Sequence, residues 1–157
     1  MKEKYYLAYG SNLSMAQMAY RCPAAIYVGT AVLKDYKLLF KGSKSGNYLT
    51  IEKEKGSKVP VLVWKITADD EKRLDRYEGY PNFYYKTTMK VSLQSLVDES
   101  DIGEVEALIY IMKEGCKVGS PTVQYYETCA EGYKRFGFDK EILDKAVSDS
   151  RTNFDML

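Results

Sequence analysis

Two short segments carry residue types that could do chemistry. The first, Tyr9-Gly10-Ser11-Asn12-Leu13, follows the apolar run Tyr5-Tyr6-Leu7-Ala8 and leads into a helix-start signal. Ser14 with Gln17 three residues on fits a capping box, and Met15, Met18, Ala19 and Cys22 recur at helical spacing. The pattern predicts a strand, a tight glycine-containing loop and a helix N-terminus. Such a junction gathers unpaired backbone N–H groups and the positive end of a helix dipole at one point, which suits an anion or a developing oxyanion. The same residues would also serve an ordinary strand-to-helix turn, with glycine supplying a free φ angle and asparagine a side-chain turn bond.

The second segment, Leu74-Asp75-Arg76-Tyr77-Glu78-Gly79-Tyr80-Pro81, closes a helix started by a Thr67/Asp70 capping pair. Its Gly-Tyr-Pro turn signal fixes the chain sharply after Glu78. Most glutamates are solvated surface groups. Glu78, however, stands among Leu74, Tyr77, Tyr80, Phe83 and Tyr84. A carboxylate held among such groups, near a helix C-terminus, has its charged form disfavoured by desolvation and by the dipole, and becomes a usable base near neutral pH.

Histidine is absent. That removes Ser-His-Asp and Cys-His catalysis and most zinc sites. Ser11 has no Gly-x-Ser-x-Gly elbow around it and no imidazole to activate it. Cys22, Cys116 and Cys129 show no metal or redox spacing, and Cys22 and Cys129 are expected as buried core thiols. Acid–base work then falls to Glu, Asp, Lys or Tyr. The expectation is carboxylate catalysis without a metal or a cofactor.

These groups must be positioned by a strand-rich chain. Apolar or alternating runs predict strands over 4–9, 25–33, 36–41, 47–53, 59–66, 83–93 and 104–112. The segments 42–46 and 56–58 read as hairpin connections, and 94–103 as an exposed hairpin loop. Helices are expected over 14–21, 68–77, 121–136 and 140–149. Ser120-Pro121 starts the third, Gly137 stops it, and Asp139 caps the fourth. Many strands with few helices in one short chain suggest a closed or nearly closed β-barrel with surrounding helices. The fifteen tyrosines fit a cavity with flat apolar walls and hydroxyl tips, although most must be core or barrel filling.

At 157 residues the chain is expected to form one domain, 1–157, that buries roughly two-thirds of its unfolded surface. Its 45% hydrophobic and 29% charged content is that of a soluble globular protein. With 23 basic and 22 acidic residues spread evenly, no basic stripe marks a nucleic-acid footprint. The apolar stretch after Lys2 and Lys4 is broken at Gly10-Ser11-Asn12, too short for a signal peptide or a membrane span. Isolated cysteines fit a reducing, cytoplasmic location.

The two chemical segments belong to a longer series: Tyr9–Leu13, Arg21-Cys22-Pro23, Leu33-Lys34-Asp35-Tyr36-Lys37-Leu38-Leu39-Phe40, Val61-Leu62-Val63-Trp64-Lys65-Ile66, Leu74-Asp75 with Glu78-Gly79-Tyr80, Ala107-Leu108-Ile109-Tyr110, and Gln124-Tyr125 before Gly132. In order and spacing this series resembles the gamma-glutamyl cyclotransferase family through most of the chain. The resemblance implies a mixed α+β barrel whose cavity is lined by the first loop and the Glu78 turn. It also implies intramolecular aminolysis, in which the α-amine of a small gamma-glutamyl substrate attacks its own γ-carbonyl and releases 5-oxoproline with a free amine or amino acid. Glu78 would be the catalytic acid/base, and Tyr9, Gly10, Ser11, Asn12 and Leu13 would hold the oxyanion or the α-carboxylate.

By the same resemblance Tyr110 would bond the substrate, with cross-strand packing as its other reading. Tyr125 matches the family too, on a helical stripe with Cys129, Gly132 and Phe136 that favours core packing. An aromatic pocket residue is expected after the Glu78 turn. Alternation with Met89, Val91 and Leu93 selects Tyr85 over Tyr84. Leu49-Thr50 and Pro60-Val61 stand where small residues are expected, which bears on pocket size and on the leaving amine. Two other readings stay open: a cyclotransferase for a gamma-glutamylamine or a related acyl-tailoring enzyme, and a non-catalytic small-molecule-binding module on the same fold.

Overall fold

The structure, a computed structural model, describes residues 3–43 and 45–151. Lys44 in the expected 42–46 connection, Lys2 and the last six residues lie outside the described residues. Strand β1 (Lys4–Ala8) is the hub of the sheet. It runs antiparallel to β3 (Gly46–Ile66), with Tyr6 opposite Trp64, and parallel to β5 (Asp101–Met112), with Tyr6 opposite Leu108. Strand β5 pairs antiparallel with β4 (Tyr84–Gln94). Strand β4 meets β2 (Ile26–Ser43) at Thr30 opposite Gln94, and β2 pairs with β3 along most of its length. The order β3-β1-β5-β4-β2 therefore closes on itself as a five-stranded mixed barrel, with the two-residue β6 (Lys117–Val118) added outside on β2. Among the described residues four α-helices accompany it: α1 (Met15–Arg21), α2 (Ala68–Tyr77), α3 (Val123–Arg135) and α4 (Lys140–Asp149). This is the α+β barrel that the resemblance implied.

The barrel closes through one long hairpin instead of the four shorter strands expected. Glycine at 56 marks a positive φ of 88°, and Asp35 opposite has φ 65°. The register shifts there, from Lys34 opposite Lys58 to Tyr36 opposite Lys53, and the Gly56 N–H donates to the Asp35 carboxylate at 2.9 Å. The segment 56–58 is thus a bulge inside a strand, not a turn. A left-handed glycine serves either purpose, so the residue type alone does not separate them.

Helix ends follow their caps. Thr67 and Asp70 form both halves of a capping box on α2, each bond 3.2 Å. On α1 the Ser14 hydroxyl accepts from the Gln17 N–H, but the Gln17 amide oxygen is buried without a partner, so only half of the expected box forms. Helix α3 starts at Thr122, whose hydroxyl accepts from the Tyr125 N–H, instead of at Ser120-Pro121. Asp139 caps α4 as expected. Helix α3 lies hard against the first loop, where a Cβ on Gly132 would fall 2.4 Å from Leu13 Cβ. Among the described residues no helix is long and apolar enough to cross a membrane.

Candidate active site

Strand β1 ends at Ala8, and Ser11–Leu13 then form a single 3₁₀ turn before α1. Within it the Leu13 N–H donates to Gly10 C=O and the Ser14 N–H to Ser11 C=O, each at 3.0 Å. A turn of this kind leaves its first N–H groups without intrahelical partners, here those of Ser11 and Asn12. The loop is fastened from several sides. The Asn12 amide donates to the Tyr6 hydroxyl at 2.9 Å, its side-chain oxygen accepts from Arg21, and its carbonyl accepts from the Trp64 indole at 3.1 Å. A Cβ at Gly10 would sit 3.0 Å from the Tyr125 hydroxyl oxygen, so a side chain there would crowd that hydroxyl.

Glu78 is the C-cap of α2. The Tyr80 N–H bonds Asp75 C=O at 2.9 Å and the Gly79 N–H bonds Arg76 C=O at 3.2 Å, with Gly79 at φ 66°. These two bonds are a Schellman motif, which only a residue tolerant of left-handed geometry closes without strain. The motif ends the helix immediately after Glu78 and aims that carboxyl inward.

Loop and carboxylate line one cavity of about 260 Å³, together with Tyr6, Tyr48, Tyr84 and Tyr110 among others. No hydrogen bond or ion pair from the described residues reaches the Glu78 carboxylate. Desolvation raises its pKa to about 7, with the Arg21 guanidinium pulling the other way. The residue keeps intermediate surface exposure although its carboxyl is desolvated; it lines the cavity, and that is where it is accessible. Such a carboxyl exchanges protons readily at neutral pH.

Of the other expected site residues, Tyr9, Gly10, Ser11, Asn12, Tyr110 and Tyr125 line this cavity. Tyr9 donates to the Tyr110 carbonyl at 2.6 Å. The Tyr110 hydroxyl itself donates to Asp75 at 2.6 Å, so its bond is to the protein. Tyr125 does both things expected of it: it lines the cavity and packs edge-on against Phe40 and Tyr48, while its hydroxyl accepts from the Leu49 N–H at 3.0 Å.

Two expectations are corrected. Leu13 is fully buried against Gly132 and contributes packing, not cavity wall. Tyr85 is 40% exposed and lies outside the cavity lining, whereas Tyr84 is 6% exposed, lines it and donates to Leu49 C=O at 2.8 Å. The alternation with Val91 and Leu93 was sound but marked the wrong face. The ladder sets Lys86 opposite Tyr110 and Tyr84 opposite Met112, so Tyr84 shares the face of Tyr110 and Tyr85 does not. Tyr110 was the better reference for parity. The sequence reading also gave no role to Arg21, Tyr77 or Arg76. Arg21 ends α1, where a cation ordinarily answers the helix dipole; only the fold shows it against the loop.

A closed mixed barrel places a loop of free backbone N–H groups and a desolvated carboxylate, unpaired among the described residues, in one cavity, an arrangement suited to acid–base chemistry on a small polar molecule. A family model described as "Gamma-glutamyl cyclotransferase, AIG2-like" matches residues 6–135. A Gamma-glutamylcyclotransferase of Bos taurus is 31% identical over 150 residues, covering 91% of this chain and 77% of its own. The Homo sapiens Gamma-glutamylcyclotransferase is 30% identical over 147 residues, covering 89% and 75%. A solved structure described as Gamma-glutamyl cyclotransferase superposes with a TM-score of 0.80 at 27% identity, over 97% of this chain and 90% of that one. The chain belongs to the gamma-glutamyl cyclotransferase, AIG2-like family.

Proposed function

We propose that this protein is a gamma-glutamyl cyclotransferase that converts a small gamma-glutamyl compound to 5-oxoproline and a free amine or amino acid. The observation that carries the reading is Glu78, a desolvated carboxylate without a partner that shares a cavity with the Tyr9–Asn12 loop. Glu78 takes a proton from the substrate α-ammonium, and the freed amine attacks the γ-carbonyl carbon. Negative charge gathers on the carbonyl oxygen, where the backbone N–H groups of Ser11 and Asn12 are suited to receive it. Glu78 then returns its proton to the departing nitrogen as the C–N bond breaks. One of the three ammonium protons remains on the lactam nitrogen; Glu78 carries the first of the other two to the leaving nitrogen. The second, lost from the ring nitrogen as the tetrahedral intermediate collapses, passes by the same carboxylate to the leaving amine, which departs as an ammonium. Holding the glutamyl chain coiled supplies further acceleration. One carboxylate serves both proton transfers, and the reading calls for neither metal nor cofactor.

Among the described residues that line the cavity, the charged ones are Glu78 and Arg76. Arg76 is exposed while the tyrosine floor is buried, which favours a leaving group that carries a carboxylate toward the rim. Three free thiols fit a reducing, cytoplasmic setting. Assay of purified protein for 5-oxoproline release across a panel of gamma-glutamyl amino acids and amines tests the reaction. Release from at least one member, none from its α-N-acetyl form, and no change with chelator are expected. Turnover of the acetylated compound would mean that water or a side chain attacks and would make this a hydrolase. No release from any member would leave the binding-module reading in its place.

A further inference from the structure

Arg21 is the junction between the two halves of the site. From the last turn of α1 its Nη1 donates to the Ser11 hydroxyl at 3.2 Å and to the Asn12 side-chain oxygen. Its guanidinium lies flat over the Tyr77 ring, 3.5 Å from the centroid. The Tyr77 hydroxyl in turn lies 3.2 Å from the Ser11 hydroxyl. Ser11 and Asn12 are the loop residues with candidate oxyanion donors, and Tyr77 immediately precedes Glu78. One planar cation therefore ties the donor loop to the last turn of the helix that carries the base. Lysine could not reproduce this, since a guanidinium stacks its planar face on an aromatic ring while an edge N–H group bonds acceptors, and an ammonium has no such face.

We propose that Arg21 is a positioning residue for the reaction proposed above, holding the Ser11–Asn12 donors in register with Glu78 across the cavity. It touches neither base nor substrate and acts through Ser11, Asn12 and Tyr77. Its charge has a second consequence. The groups that face Glu78 are Tyr6 from β1, Tyr9 from the loop, Tyr77 from α2 and Tyr84 from β4, with Arg76 also on the cavity lining. Burial pushes all four tyrosines upward, so they stay neutral where Glu78 titrates. Arg21 is the cation that opposes the desolvation of Glu78. Removing it lets the carboxyl hold its proton to higher pH.

The test compares Arg21→Gln and Arg21→Lys with the unmodified protein, by the pH dependence of 5-oxoproline release and by carbon-13 NMR titration of the Glu78 carboxyl. Arg21→Gln is expected to lower kcat by about tenfold or more, because misplacing donors weakens transition-state contacts. Its acid limb and its Glu78 titration should both move to higher pH. Arg21→Lys keeps the charge but loses the planar stack on Tyr77, so kcat should fall while the limb stays near that of the unmodified protein. A merely structural arginine would lower stability without moving the limb. An unmoved limb and titration in Arg21→Gln, or unchanged kcat in both variants, overturns the proposal. If Arg21→Gln does not fold, full kcat in Arg21→Lys still overturns it. If the unmodified protein releases no 5-oxoproline, the functional reading falls, and the NMR titration alone decides whether Arg21 is coupled to Glu78.

Discussion

Helix α2 carries three carboxylates along one stripe, Glu71, Asp75 and Glu78, at the spacing that stacks side chains on a single face. Their surroundings differ sharply. Lys86 bonds Glu71 at 2.7 Å and both oxygens of Asp75 at 2.9 Å, Lys4 bonds Glu71 at 2.9 Å, and Tyr110 adds a bond to Asp75. Burial works against ionisation at Glu71, but the hydrogen bonds from Lys86 and Lys4 outweigh it and hold the carboxyl below the ordinary range. One turn further on, Glu78 meets burial with no direct partner, and its pKa climbs to about 7. The same side-chain chemistry becomes structure where a cation touches it and a candidate base where the cation is withheld. Arg21 stands near enough to moderate Glu78 and, spent on Ser11, Asn12 and Tyr77, does not pair with it.

The strongest way to break this contrast is Glu78→Gln. Turnover should fall by about 10²-fold or more, because no imidazole stands by to replace the base. Stability should move the other way. A carboxyl whose folded pKa is raised from 4.5 to about 7 contributes stability below pH 4.5 and loses it as pH rises through 7. Thermal melts should therefore show the variant gaining on the unmodified protein between pH 5 and 8, by roughly 1–3 kcal/mol at the upper end. A gap that is flat with pH would mean that Glu78 is not desolvated.

The activity profile sharpens the same point. Glu78 works as a base only when ionised, so kcat/KM should fall on the acid side of about pH 7. A limb near pH 4.5, the ordinary glutamate value, would place Glu78 in water and remove the distinction from its neighbours.

What was legible in the chain follows the range of the signals. Helix α2 runs over the expected residues because its cap pair and its Gly79 stop are local, and they place Glu78 at its end. The loop was recognised for the same reason. The places of Tyr84, Leu13 and Arg21 are not local, because they come from contacts across the fold: a ladder register with Tyr110, a close approach by Gly132, a stack on Tyr77. Alternation tells that a strand has two faces; it does not tell which one meets a cavity when β5 buries both of its own from Ala107 to Met112. The long closing hairpin was cut into four for a similar reason, since Asp35 and Gly56 announce a positive φ but not the strand that continues beyond it.

The paired half of the stripe can be attacked through Lys86. Lys86→Met leaves Glu71 with Lys4 alone and takes from Asp75 its only ion pair among the described residues. The side chains are partly buried, so a loss of about 1–2 kcal/mol in chemical denaturation is expected. The sign with pH is opposite to that of Glu78. A depressed carboxyl contributes stability above its unfolded pKa and loses it as pH falls through the folded one, so the variant's deficit should shrink toward pH 3. Turnover should drop only a few-fold, through the Asp75 bond that orients Tyr110. A loss as large as that of Glu78→Gln would make this network part of the proton path and erase the contrast.

Lys4→Ala is the smallest perturbation and the cleanest control. Lys4 touches only the outer oxygen of Glu71, and its own side chain is 56% exposed. An ion pair with one partner in water gains little, because solvent screens the attraction and the long side chain gives up its freedom to hold it. Removing it should cost at most about 0.5 kcal/mol, and that cost should fade with added salt. The acid limb of turnover should not move, since Lys4 does not act on Glu78. A displaced limb would mean that charge at the start of the stripe is felt at its end through Glu71 and Asp75. The stripe would then act as one coupled electrostatic system, and the separate environments of α2 would be only two views of the same field.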